Sequence, residues 1–352
     1  MDFELNEDEA LLAEMAGKFA YTCAPGDHRW SELAEMGWFG CHLPESAGGS
    51  GLGMVGAVIL GEAMGHAGLV DGYIGHAILA GSALSGSPAH TALLEAAIAG
   101  TKRLGAALIE PARRHDLTRP AAKAKRSGDS YQLDGHKAPA LACSNAAYFL
   151  VSARTETDDC ALFAVPADAE GVTLSPISSP DGRDLSRLML DTVILQQGDI
   201  VAAAPQCPAY LQSALQIAFA AESCGAMRRL VDMTGAYLET REQFGRPIGR
   251  FQALQHRFAD MHVALDEARS LMLAAAMATD ACAPEAAPLA RKAWVQTCWS
   301  ARRIAEEAVQ MHGAIGMTSE CHVGHFVKRL TANELIVGHP DLHVGALIAR
   351  SA

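Results

Sequence analysis

No Cys-x-x-Cys pair occurs among the nine cysteines, and their number is odd. This excludes a disulfide framework or a zinc ribbon and reads as reduced thiols. Positive charge is scarce: 28 Lys and Arg stand against 40 Asp and Glu, a net charge of −12. Phosphate-backbone binding needs a basic surface, so nucleic acid is excluded as a partner, and a soluble, self-repelling protein is favoured. Long apolar runs are missing too. The run from Met54 to Gly61 stops at Glu62, short of the roughly 18–20 residues of a membrane span. The N-terminal MDFELNEDEALL is acidic and has no basic leader stretch, so no signal peptide and a cytoplasmic location are expected. Gly48, Gly49, Gly51 and Gly53 cluster, yet G-x-G-x-x-G spacing is absent and no buried β-run precedes them. They read as a loop, not a nucleotide cradle. No internal repeat, Ser–His–Asp set or metal-ligand spacing stands out. His312, His322 and His325 form the densest histidine group and read as surface.

What is present is a large apolar fraction, 50% of 352 residues, enough for two or three packed domains. Residues 1–103 read as helical: Asn6 is a good N-cap, WSELAEMGWFG is a short helix, and Ala- and Gly-rich helices follow. Residues 104–203 change character. Tyr131–Leu133, Tyr148–Ser152, Ala161–Val165 and the stretch from Leu185 are short β-runs between turn residues, which predicts an antiparallel β-barrel or sandwich. Residues 204–352 are helical again, with Trp294, Cys298, Ala301, Ile304, Ala308 and Met311 on one face of a bundle helix. The class is α+β, mostly α.

The stretch REQFGRPIGRFQALQH, from Arg241 to His256, joins two long helical patterns. Upstream, Leu230, Met233, Tyr237 and Phe244 recur at helical spacings. Downstream, Phe251, Leu254, Phe258, Met261, Leu265, Ala268 and Met272 alternate threes and fours, the seam of a packed helix. Gly245-Arg246-Pro247-Ile248-Gly249 stops one helix and starts the next. Arg241 thus falls near a helix C-terminus. Gln252 falls near a helix N-terminus, whose free N–H groups and dipole favour a phosphate. The pair reads either as a diphosphate clamp or as a helical hairpin with a surface arginine. Further on, EEAVQMHGAIG ends a helix at Gly313, and Gly313, Ala314 and Gly316 either cap it or admit a close neighbour.

Both stretches resemble flavin-contacting segments of the acyl-CoA dehydrogenase family, R-x-x-F-G with a following F-Q, and Q-x-x-G-G-x-G. The N-terminal W-x-x-L-A-E-x-G-W from Trp30, followed by P-E-x-x-G-G from Pro44, is similar as well. The helical–β–helical order extends the resemblance over the whole chain. It implies an N-terminal helical domain, a middle antiparallel β-barrel or sandwich and a C-terminal four-helix bundle. It implies that Arg241, Phe244 and Gln252, with Gln243 and Ile248 beside them, bind the diphosphate and adenine side of FAD. Gln310, Gly313 and Ala314 would meet its adenosine-diphosphate half. In the family these residues reach the FAD of the neighbouring subunit. An acyl-CoA substrate and an electron-transfer flavoprotein as acceptor are implied in the same way.

Other family motifs are lost. Where the family has T-E-P-G-A-G-S-D, this chain has Ile109-Glu110-Pro111-Ala112-Arg113-Arg114-His115-Asp116. Where W-I-T follows G-x-K, Ala138-Pro139-Ala140-Leu141 follows Gly135-His136-Lys137. The catalytic base of the family is the Glu of Y-E-G-T, here Val337-Gly338-His339-Pro340, so no base stands at Gly338. The alternative position of that base, on the preceding long helix, falls at Leu215. Glu222 and Glu334 are the substitute candidates, with His339, Asp341 and His343 nearby; each also reads as structural or solvated. Groups that reach a partner's FAD are kept and groups that serve the subunit's own flavin are lost. The resemblance therefore implies the non-catalytic subunit of a heteromeric, α2β2-like acyl-CoA dehydrogenase for a steroid side chain or other bulky acyl group. A homologous subunit would carry the glutamate. The rivals are a homomeric enzyme with its base at Glu222 or Glu334, and a scaffold that kept the fold and lost FAD.

Overall fold

Asn6 caps the first helix, α1 (Glu7–Tyr21): its side chain accepts from the Glu9 N–H and the Glu9 carboxylate accepts from the Asn6 N–H, both at 2.9 Å. The computed structural model describes residues 4–111, 113, 116–201, 207–318 and 320–351. Helices α2 (Trp30–Glu35), α3 (Gly53–Ala67), α4 (Ser82–Ser85) and α5 (Thr91–Ile98) follow α1, with a buried π-helical stretch, Ile74–Gly81, leading into α4. Eight strands come next: β1 (Leu104–Ala107), β2 (Lys123–Ser127), β3 (Ser130–Leu141), β4 (Tyr148–Arg154), β5 (Cys160–Pro166), β6 (Val172–Ile177), β7 (Leu185–Gln196) and β8 (Ile200–Val201). The chain ends in α6 (Cys207–Thr240), a hairpin of β9 (Glu242–Gln243) and β10 (Arg246–Pro247), α7 (Gln252–Asp280), α8 (Ala286–His312), α9 (Val323–Val337) and α10 (Pro340–Ser351). The mostly helical α+β order is the expected one. No helix among the described residues is long and apolar enough to cross a membrane.

Packing divides the chain into two compact units. One comprises His28–Ala57 and Val70–Leu215. Its strands form one sheet in the order β6-β7-β3-β1-β4-β5-β8, with β2 also pairing β3 and β4. The pairings are antiparallel as expected, except that β1 and β2 each run parallel to β4. A parallel partner needs a crossover, which the β2–β3 hairpin supplies. The long β3–β7 ladder slips between Lys137 and Ala140, where Pro139 has no N–H to donate. Phe149, Val151, Phe163, Val165, Leu188 and Val193 fill the core of the sheet. The glycine-rich loop before α3 is no anion cradle, because the N–H groups of Ser50 and Gly51 are bonded to the carbonyls of Gly40 and Leu43.

The other unit comprises the chain up to Asp27, Val58–Leu69 and Gln216 onward. The expected α8 face, Trp294 through Met311, is buried at every position, and Met261, Leu265, Ala268 and Met272 of α7 are buried with it. Helices α3 and α6 touch backbone to backbone: a Cβ on Gly65 would lie 2.0 Å from the Glu222 carbonyl oxygen, and one on Gly225 1.9 Å from that of Glu62. Phe244, expected on the α6 face, lies beyond the end of that helix and is 91% exposed. The glycine after it and the proline at 247 end the helical pattern earlier than the apolar spacing suggests.

Two histidines of the sheet-containing unit are locked neutral. His76 Nε2–H donates to the Ala97 carbonyl at 3.2 Å, and its Nδ1 accepts from the Leu104 N–H at 3.0 Å. Burial pushes His76 and His42 down to about 4 from an ordinary value of 6.5. The unfolded chain therefore binds more protons than the folded one between those values, and stability rises with pH across that window. Acidification from about pH 7 to about pH 5 is expected to cost about 2 kcal/mol for each histidine. Urea unfolding followed by tryptophan fluorescence at the two pH values checks this, and His42→Gln with His76→Gln should flatten the dependence.

Candidate functional site

The hairpin after α6 is closed by its own backbone. The Arg241 N–H donates to the Tyr237 carbonyl and the Ile248 N–H donates to the Arg241 carbonyl, both at 2.8 Å. Phe244 and Gly245 form the tip with φ of 55° and 78°, the positive pair that a two-residue type I′ connection requires. Phenylalanine seldom adopts that conformation, and this one holds its ring in solvent. A strained, exposed aromatic adds nothing to folding and points to a binding surface. Phe251 meets the Phe244 ring edge-on at 6.1 Å between centroids, and the Arg246 guanidinium lies 4.3 Å from the Phe251 ring. Arg241 is exposed and, among the described residues, has no ion-pair partner. Helix α7 starts at Gln252, runs 29 residues and has no side-chain cap. The Leu254 and Gln255 N–H groups donate to the Phe251 carbonyl at 2.9 and 3.1 Å, so the first-turn donors left for an anion are the N–H groups of Gln252 and Ala253. Gln252 is exposed. The Gln243 amide instead donates to the Glu242 carbonyl at 2.8 Å, and Ile248 is half-buried.

The end of α8 packs against the last turn of α6, from which the hairpin leaves. His312, its last residue, is buried and stacks on Tyr237 with 4.5 Å between centroids and 22° between planes. This corrects the surface reading of His312; the ring is a packing element of α8, while His322 is exposed as expected. Gln310, Gly313 and Ala314 are exposed. Gly313 has φ 65° and ψ −143°, close to a region that is essentially glycine-only. The stack therefore brings Gln310, Gly313 and Ala314 to the same end of the helical unit as Arg241, Phe244 and Gln252. Tyr237 and His312 themselves were not legible as site residues. Tyr237 fits an ordinary helix face, and only the position of a histidine directly before the glycine turn hinted at more.

The sheet-containing unit contrasts with this. At the positions where the family has hydroxyls, Ile109 and Leu141 are apolar and buried. Ala112, Arg114 and His115 lie outside the described residues. Glu110 is held by the N–H groups of Ala121 at 2.6 Å and Ala122 at 2.9 Å, and by Lys137 Nζ at 2.6 Å. Lys137 is fully buried and also donates to Ser152 Oγ at 3.0 Å. Burial pushes the Glu110 carboxyl up, but Lys137 and the two N–H groups outweigh it and hold its pKa below the ordinary value. Neither Ile109 nor Leu141 supplies the side-chain hydroxyl that the family has at these positions.

The candidate bases are engaged elsewhere. Leu215 is fully buried. Gly338 ends α9 with φ 111° and ψ 150°, and its carbonyl accepts the Trp294 indole N–H at 3.0 Å. Glu222 is buried and accepts from Arg329 Nη1 at 3.3 Å and Asn333 Nδ2 at 3.2 Å. Glu334 pairs with Arg302 at 2.5 Å, and the same guanidinium contacts His339 Nε2 at 2.7 Å. His339 lies 3.3 Å from the exposed Asp341, and the buried His343 contacts Gln216 Nε2 at 3.3 Å and the Val337 carbonyl at 3.2 Å. No group of His, Cys, Asp and Glu able to hold a metal occurs among the described residues.

Residues 7–91 match the N-terminal domain of acyl-CoA dehydrogenases, and residues 214–352 match their C-terminal domain. The chain belongs to the acyl-CoA dehydrogenase family, which binds FAD. A probable acyl-CoA dehydrogenase of Bacillus subtilis, YngJ, is 28% identical over 97% of each chain. Among solved structures, the ChsE4–ChsE5 complex of Mycobacterium tuberculosis contains a chain 25% identical, with a TM-score of 0.90 over 99% of this chain and 98% of that one. The Tcur3481–Tcur3483 steroid acyl-CoA dehydrogenase, a G363A variant, gives 27% identity and a TM-score of 0.90 over 99% of both chains.

Glu222→Gln should separate a structural carboxylate from a catalytic one. Removing one partner of a buried ion pair is expected to lower stability by about 3 kcal/mol. Glu334→Gln, in a largely exposed network, should change it by about 1 kcal/mol or less. Urea midpoints of the purified variants measure both; unchanged stability with abolished turnover would instead assign either residue as the base.

Proposed function

We propose that this chain is the non-catalytic subunit of a heteromeric acyl-CoA dehydrogenase and acts on a bulky acyl-CoA of the steroid side-chain class. The observation that carries this reading is a contrast within one chain. Arg241 and Gln252 are exposed and, among the described residues, their side chains have no ion-pair or hydrogen-bond partner, while the candidate acids are tied into ion pairs and the usual base positions are Leu215 and Gly338. The similarity to chains of the ChsE4–ChsE5 complex and of the Tcur3481–Tcur3483 steroid acyl-CoA dehydrogenase supports a heteromeric assembly and a steroid-class substrate.

In this reading Arg241 holds the diphosphate of the FAD seated in the homologous partner, and the first turn of α7 with Gln252 adds backbone donors. Phe244 covers the cofactor from the hairpin tip and excludes water. Gly313 and Ala314 let the α8 end approach the adenosine half without a side chain in the way. FAD, when bound, supplies the hydride acceptor for α,β-dehydrogenation. The carboxylate that takes the α-proton belongs to the partner, because a general base must lie within hydrogen-bond reach of that proton.

Expression of the chain alone is expected to give a protein that neither retains flavin nor oxidises acyl-CoA. Co-expression with a base-carrying homologue should give a yellow, active complex. In that complex Arg241→Ala in this chain should lower flavin retention about 10-fold or more, the weight of a charge-assisted bond pair. A chain that is yellow and active by itself would establish the homomeric reading, and failure to bind flavin with any homologue would establish the scaffold.

A further inference from the structure

We infer that the Tyr237–His312 stack is a brace that sets the distance between the two halves of the diphosphate clamp; the inference rests on the proposed flavin role of those halves. Three contacts converge on His312. Its ring lies against Tyr237 of α6 at 4.5 Å. Its Nδ1–H donates to the Ala308 carbonyl at 2.8 Å, which fixes the ring against the last turn of α8. The turn Gly313–Met317 folds back onto it, so that a Cβ on Gly316 would lie 3.0 Å from His312 Cβ.

Tyr237 is anchored on the other side. Its carbonyl accepts the Arg241 N–H at 2.8 Å, so the turn that carries its ring also fixes where Arg241 leaves α6. One ring pair thus links the start of the hairpin to the turn that holds Gly313 and Ala314. Neither ring needs to touch the cofactor. Both would act by holding Arg241 and the Gly313–Ala314 backbone at one spacing, and a spacing error of about 1 Å is enough to lose a multidentate anion contact. Tyr237 and His312 are therefore assigned as positioning residues.

Hydrogen exchange of the full chain tests the brace without flavin. Tyr237→Leu keeps an apolar side chain and removes the stack; it is expected to speed exchange of the Gly313–Met317 and Arg241–Gly249 amides about 10-fold, while the α6 and α8 interiors stay protected. Tyr237→Phe should restore wild-type exchange. In the complex with the base-carrying homologue, Tyr237→Leu should weaken FAD binding about 10-fold, as read by flavin fluorescence, and Tyr237→Phe should not. Unchanged exchange in Tyr237→Leu would overturn the brace. So would unchanged FAD affinity in Tyr237→Leu when Arg241→Ala weakens it. If Arg241→Ala also left the affinity unchanged, the hairpin itself would not be a flavin contact, and the brace would fall with that assignment.

Discussion

A carboxylate taken out of water must find a countercharge and donors for its lone pairs, or it costs several kcal/mol. In the helical unit that demand is met at Glu222. Arg329 bridges its carboxylate and the Leu69 carbonyl, and Asn333 bridges the same carboxylate and Ser223 Oγ. These bonds fasten α9 to α6 and to the segment after α3, and so fix where α9 ends and Gly338 begins. The sheet-containing unit obeys the same demand with Glu110, Lys137 and Ser152, which pin the segment after β1 against β3 and β4. Each of these acids is held in place by the groups that keep it from acting as a proton acceptor.

The hairpin after α6 follows the opposite logic. Its tip holds a phenylalanine in a left-handed conformation with no burial to offset the strain, and an arginine is left in solvent beside an uncapped helix start. Folding alone gives no reason to keep such an arrangement, and the proposed contact with a partner's flavin would give one. The α8 end, with its glycine in a conformation barred to other residues, adds a smooth surface at the same end of the unit. In the proposed reading the two together make half of a site that a partner completes.

Much of this was legible in the residues. The Asn6 cap, the α8 stripe and the existence of a break between the two long helices follow from local rules, because capping and apolar spacing act within a few residues. The sheet was legible as short strands, but the parallel pairings to β4 were not; pairing direction depends on a crossover between residues far apart in sequence. The helix face that included Phe244 was read one turn too far, since spacing continues across a turn that glycine and proline have already ended. The engagement of Glu222 became visible only with coordinates. Its partners, Arg329 and Asn333, lie more than a hundred residues downstream, and no spacing rule spans that separation. The stack of Tyr237 on His312 was hidden for the same reason.

The backbone at Gly338 carries a consequence for how such a subunit can change over time. Its φ of 111° and ψ of 150° fall where any residue with a side chain would be strained by about 1–3 kcal/mol, and its carbonyl is bonded to Trp294. Placing an acid at this point would require the main chain to turn and the indole to find another acceptor, not merely one altered codon. The geometry at position 338 thus holds an acidic side chain away, much as a ratchet tooth blocks motion in one direction.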